Sequence, residues 1–289
     1  MKTKSIVFAA LSLTAVTFAQ KKEIKSAEKT VESGSYAQAQ TEIEAVSGMM
    51  SQMDDKEKEY YYFVKGRAYL GGEDNKNADK LLKAMEAFTT VSEYNDGDKY
   101  GEEAKQFKQQ AMNAVISSAV DDQNAEKYDS AANKLYTLYT LTPKDTSYLY
   151  FAASNAVNGQ DYATALKYYN QLKDMGYTGI ETQYTAVNKE DGKVENFPSK
   201  QQRDLFVKAG SHEDPKTTVT ESRAGEIAKN IALIYVQEGE NDKAVTAIQD
   251  ALAENPDDDA LLRSAADVYL KMDMTEEYEA AMDKVIAKD

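Results

Sequence analysis

Tyrosine, alanine and leucine recur in this chain at one interval. Tyr128 precedes Tyr162 by 34 residues, and Ala131 with Ala165, Leu135 with Tyr169 and Leu138 with Leu172 keep the same offset. A repeat of that length builds a helix, a turn and a second helix, and the apolar stripe of such a pair is too small to bury itself alone. Pairs must therefore stack on copies of themselves. The expected class is all-α, an α-solenoid of helix-turn-helix repeats, whose main product is extended surface rather than a desolvated reaction pocket.

The register runs through most of the chain. Residues 112–145 place Ala119 eighth, Tyr128 seventeenth, Ala131 twentieth and Pro143 thirty-second in their unit. Residues 146–179 follow without a gap and keep Ala153, Gly159, Tyr162, Ala165 and Tyr169 in step. Residues 225–258 carry Ala232, Tyr235, Gly239, Ala244, Ala251 and Pro256. Near the start, residues 20–53 supply Ala27, Gly34, Tyr36 and Ala39. Residues 59 to 98 supply Gly66 and Tyr69, and then Ala84, Phe88 and Val91 six positions late, so the extra length falls in Gly71 to Lys80. From 259 onward Ala266 and Tyr269 fit before the register drifts. Small residues at the eighth and twentieth positions let two helices approach closely, and aromatic rings fill the wedge between neighbouring pairs.

These residues resemble the tetratricopeptide repeat. The resemblance implies a groove lined by the first helix of each pair, which here assigns Tyr60, Phe63, Arg67, Asn113 and Ile116 to it. Further along it assigns Tyr150, Ser154, Lys229, Leu233, Arg263 and Asp267. Two of the four arginines in the chain, Arg67 and Arg263, fall on these positions, and a guanidinium fork suits a carboxylate. Members that hold chaperone tails use a Lys/Asn clamp across successive repeats, and Lys229 with Asn230 does not reproduce it. The implied partner is a protein or peptide.

One stretch, residues 180–221, breaks the repeat. Tyr184 to Val187 and Val194 to Phe197 are short strand-like runs around Asp191-Gly192, a hairpin turn signal. Ser199 with Gln202 makes a capping pattern, so a short helix is expected from Lys200 to about Ala209, stopped by Gly210. Ser211 to Thr218, with Pro215, reads as loop. This small hairpin and helix either bridge two stacks or dock a partner. The expected organisation is a leader over 1–19, N-terminal repeats over 20–179, the insertion over 180–221 and C-terminal repeats over 222–289.

The leader reads as an export signal. Lys2 and Lys4 precede an apolar run from Ile6 to Phe18, Thr17-Phe18-Ala19 offers a cleavage site, and Gln20 follows. Thirteen residues fall short of the roughly 20 that a spanning helix needs, and no later stretch is long and charge-free, so no membrane span is expected. The expected location is periplasmic or secreted. Cleavage leaves 32 bases against 49 acids, a net charge of −17. Such acidity argues against nucleic acid as a partner, because phosphate binding needs clustered positive charge.

Chemistry is hard to place on this chain. It has no cysteine, one histidine, no phosphate-binding glycine loop and no calcium-hand spacing at Asn95-Asp96-Gly97-Asp98. Asp257-Asp258-Asp259 follows Pro256, where acids favour the next helix N-terminus, so it reads as a cap rather than a metal site. His212, beside Glu213 and Asp214, reads as a solvated loop residue. No catalytic residue, cofactor or metal is expected, and the leading function is a non-enzymatic scaffold. The alternatives are a solute- or glycan-binding protein that stacks tyrosines on sugar, and an enzyme sited in the insertion around His212, Glu213 and Asp214.

Overall fold

The computed structural model describes residues 20–72 and 77–287, so the expected leader and part of the extra length at 71–80 lie outside the described residues. The chain divides into two compact units, residues 1–161 and 162–289. The first holds α1 (residues 20–32), α2 (Tyr36–Val46), α3 (Asp55–Leu70), α4 (Ala78–Val91), α5 (Gly101–Asn124), α6 (Tyr128–Leu141) and α7 (Ser147–Asn158). The second holds α8 (Tyr162–Asp174), the strands β1 (Thr182–Asn188) and β2 (Val194–Phe197), α9 (Lys200–Lys208) and β3 (His212–Val219). It ends with α10 (Ala224–Gln237), α11 (Asn241–Glu254), α12 (Asp259–Lys271) and α13 (Thr275–Ile286).

The repeat register is buried register. Ala27 with Ala39, Ala119 with Ala131 and Ala232 with Ala244 are all 0–1% exposed, and Ala153 and Ala165 are fully buried in their units. Alanine removes little apolar area from water by itself; its smallness lets the helices close until the larger Ile24, Ile43, Leu138, Tyr169 and Ile248 interlock. Gly66 takes this furthest, because the Phe88 ring of α4 lies where its Cβ would be.

Helix starts follow local hydrogen-bond supply. Asp54 accepts from the Glu57 amide and Glu57 returns to Asp54, a full capping box that opens α3. Asp258 accepts from the Leu261 amide at 2.9 Å, so the acidic run 257–259 does cap α12. One helix begins earlier than the register indicates. α5 starts at Gly101 rather than near 112, and Ala104, Ala111, Val115 and Ala119 form one continuous buried stripe along it.

α5 and α6 are tied by an ion pair of Lys134 with Asp122, and Ser130 donates to the same carboxylate at 2.5 Å. These two hydrogen bonds hold the Asp122 carboxyl below the usual carboxylate range. A group depressed in the folded state stabilises it above the ordinary carboxylate range, and that contribution is lost as pH falls through the folded value. Asp122→Asn is therefore expected to cost about 2 kcal/mol at neutral pH and much less in acid, measured by urea unfolding at both.

In the second unit the hairpin forms as expected, with Tyr184 opposite Phe197 and Val187 opposite Val194. Ser199 Oγ accepts from the Gln202 amide, α9 follows, and Gly210 ends it at φ +82°. The expected loop over Ser211–Thr218 is corrected. His212–Val219 is a third strand, antiparallel to β1, in the order β2-β1-β3. Pro215 is tolerated because β3 is an edge strand and carries a bulge there: Asp214 and Pro215 together oppose Ala186, and Asp214 takes φ +48°.

Candidate partner-binding groove

In the first unit the first helices of successive pairs meet at their N-terminal ends. A cleft of about 850 Å³ opens there between α1, the start of α3 and the residues that lead into α5. Tyr60 and Tyr100 form its aromatic floor, stacked with ring centres 5.4 Å apart, and behind them Tyr100 stacks on the buried Phe63 at 4.5 Å, with Phe107 and Phe88 continuing the row. Tyr60 Oη donates to Glu28 at 2.5 Å, and burial together with that carboxylate pushes the phenol far above its ordinary value, so it stays neutral.

A buried carboxylate builds the far wall. Glu59 is 1% exposed and accepts from the backbone amides of Lys99 and Tyr100, each at 2.9 Å, and from Asn95 Nδ2 at 3.0 Å. It thereby fixes the residues just before α5, where the helix N-terminus also favours negative charge. Lys99, set by that turn, lies 4.6 Å from the Tyr100 ring centre and donates to Tyr100 Oη at 2.7 Å. That hydrogen bond raises its ammonium above the ordinary value and keeps it charged.

Four lysines rim the cleft: Lys21 and Lys25 from α1, Lys56 from α3, and Lys99. Lys21, Lys25 and Lys56 have no acidic partner among the described residues. Five acids share the lining: Glu28 accepts from Tyr60, Asp54 and Glu57 accept from each other's amides, Glu59 is held as above, and Asp98 has no ion-pair partner among the described residues. The cleft thus offers unpaired ammonium groups over an aromatic floor, an arrangement that suits an anionic ligand segment.

The residues that the resemblance assigned to a groove divide into groups. Tyr60 lines this cleft, and Arg67 stands beside it, 3.8 Å from Glu28. Phe63 and Tyr150 are 2% and 4% exposed, so both are packed inside rather than presented to a ligand. Asn113 is exposed and accepts from Gln109, while Ile116 and Ser154 are half-buried. In the second unit Lys229 pairs with Asp267 and Arg263 with Asp259, and Leu233 packs on the core. Asn230 donates to Tyr169 Oη at 2.9 Å. Lys21, Lys25, Lys56 and Tyr100 were not singled out from the sequence. The i, i+4 spacing of Lys21 and Lys25 on a first helix was the available signal.

His212 departs from its expected environment. It is 4% exposed, because pairing of β3 with β1 puts it opposite Asn188 on the sheet face that α9 covers. Phe197 and Phe206 meet its ring edge-on at 5.2 and 5.4 Å. Its Nε2 lies 2.9 Å from Glu195 Oε2 and its Nδ1 2.9 Å from Ser211 Oγ. Hydrogen bonds from Asn188 and His212 hold the Glu195 carboxyl below its ordinary range. Glu213 turns instead to Lys189 at 3.7 Å and Asp214 sits in the bulge, so His212, Glu213 and Asp214 are not brought together.

No helix among the described residues is long and apolar enough to cross a membrane, and no described cluster of three or more His, Asp or Glu is placed to hold a metal. No family model matches the chain. Photosystem I assembly protein Ycf3 of Synechococcus sp. (strain CC9311) is 41% identical over 59 residues, 20% of this chain and 34% of that protein, so the chain spans about a third of that relative. Among solved structures, the Cut9-Hcn1 hetero-tetramer of the APC/C aligns over 89% of this chain and 44% of its own, at 16% identity and a TM-score of 0.33. The tetratricopeptide domain of P58(IPK) aligns over 92% of both chains at 13% identity and a TM-score of 0.18. These superpositions are loose; the assignment of tetratricopeptide-type repeats stands on the chain's own buried register.

Proposed function

We propose that this set of tetratricopeptide-type hairpins is an exported, non-enzymatic scaffold that holds a partner protein by an acidic segment laid into the lysine-rimmed cleft of α1, α3 and α5. The observation that carries this reading is that, among the described residues, Lys21, Lys25 and Lys56 have no acidic partner in a chain where acids outnumber bases 49 to 34. Unpaired cations gathered on one face of so acidic a protein favour a ligand of opposite sign. An extended segment suits the site because its own backbone and side-chain carboxylates can alternate along the cleft while the aromatic floor takes apolar contacts. The rings that a sugar could stack on are already stacked on each other, which weakens the glycan alternative. The leader pattern of Lys2, Lys4 and the apolar run to Phe18 supports export.

A photo-crosslinking residue at Lys56, introduced into the full chain in its native cells, tests both halves. The expected capture is one identified protein through an acidic stretch, on a chain whose first residue is Gln20. Lys25→Glu combined with Lys56→Glu is expected to weaken the purified pair about tenfold, with a steep salt dependence. Capture through a basic or apolar stretch would remove the binding mode. A crosslinked chain that still begins at Met1 would remove export.

A further inference from the structure

We infer that the second unit contains a separate docking site, a cleft built for a basic amphipathic helix. The cleft, about 470 Å³, is walled by the second helices α8 and α11 and floored by the first helix α10. α8 packs on α10, and the long connection between them carries the insertion. The site is independent of the first unit's lysine-rimmed cleft.

Ile227 and Ile231 of α10 with Leu261, 1–4% exposed, close the bottom as core, and the apolar floor a ligand would reach is made by Tyr177, Tyr235, Ala247 and Ala251. On the α11 side Ala247 and Ala251 face the cleft, while Ala244 and Ile248, a third of a turn away, fill the core. Two alanines leave a trough where larger side chains would close it. The lining follows α11 from Asp242 to Asn255, about 20 Å at 1.5 Å per residue, the length of three to four helical turns. A loop or strand pressed on this floor would bury backbone amides without partners, whereas a helix satisfies its own.

The charge along the walls selects the occupant. Asp242, Asp250 and Glu254 line the α11 side, and none has an ion-pair partner among the described residues. Lys243 is neutralised by Glu240 at 2.8 Å, and Lys173 stands on the α8 side. An occupant with Lys or Arg on the flank toward α11 and leucine-like residues below matches both the acids and the floor.

Two synthetic 15-residue helices test this by fluorescence anisotropy with the full chain. One carries Leu and Ala on one face and Lys confined to one flank; the other has Glu in place of every Lys. The Lys peptide is expected to bind and the Glu peptide not. Asp250→Lys with Glu254→Lys, both exposed, is expected to weaken the Lys peptide about tenfold and to admit the Glu peptide. Glu279→Lys with Asp283→Lys has the same spacing on the exposed side of α13, and leaves the Lys peptide within about twofold.

Three results would overturn the assignment. Equal weakening by both double variants means that net charge alone attracts the peptide. Equal binding of a Lys peptide with its leucines scattered around the helix means that the apolar floor is unused. Displacement of a concentration-dependent dimer by the Lys peptide means that a second copy of this chain occupies the cleft. The wild-type comparison of ordered, scrambled and Glu peptides decides the matter even where a variant folds poorly.

Discussion

Gly66→Ala is expected to lower the stability of the first unit by about 3 kcal/mol, read as a lower urea midpoint with an unchanged slope. The sign is the informative part. Gly66 lies inside α3, where helix propensity alone makes alanine better by about 1 kcal/mol. Packing opposes that gain. A Cβ at Gly66 would stand 2.4 to 2.7 Å from three ring atoms of Phe88, far inside contact distance. The ring has little room to retreat, because it is 2% exposed and packed against Phe63 and Phe107 at 6.5 and 5.7 Å. Phe88→Leu removes the obstructing ring, so the double variant Gly66→Ala with Phe88→Leu should lose clearly less than the two single losses added. A gain in stability from Gly66→Ala alone would show that α3 and α4 are not held together as closely as the buried register requires.

That register is the part of the molecule most legible in its sequence. Ala27, Ala39, Ala119, Ala131, Ala232 and Ala244 are each close to fully buried, because the same packing constraint acts on the same two positions of every hairpin. The β-hairpin and α9 were legible for a related reason: Asp191-Gly192 and Ser199 act on neighbours within a few residues. Interactions of long sequence range were not legible. β3 depends on β1, and a bulge at Asp214 has to excuse Pro215 before the pairing can form. His212 becomes buried only through that pairing, so its sequence neighbours Glu213 and Asp214 were the wrong partners to consider and Glu195 the right one. In the same way, Phe63 and Tyr150 fall on positions that line a groove in the resembling family, yet here they serve as core. Apart from Tyr60, the candidate cleft is built from helix ends and a connecting turn that lie outside the repeat positions, so periodicity had nothing to say about Lys99 or Tyr100.

Glu59→Ala is expected to have the second large effect, a loss of about 3 kcal/mol together with loss of the cleft's shape. A carboxylate 1% exposed is costly to bury, and it is tolerated here because three donors converge on it. Removing it leaves the amides of Lys99 and Tyr100 and the side chain of Asn95 without their acceptor. Glu59→Gln separates charge from shape: its carbonyl oxygen can keep both backbone amides, which share Oε1, while its amide group takes the place of Oε2 and faces Asn95 Nδ2, so a smaller loss is expected. Hydrogen exchange supplies the local readout. The amides of Lys99 and Tyr100 should exchange slowly in the wild-type chain, much faster in Glu59→Ala and only modestly faster in Glu59→Gln, with the Tyr60–Tyr100 stack loosening in the alanine variant. Because Lys99 is set by the same turn, affinity for an acidic segment should fall in step with that exchange. Unchanged protection of both amides in Glu59→Ala would mean that the carboxylate does not hold this wall, and the cleft would then need another origin for its shape.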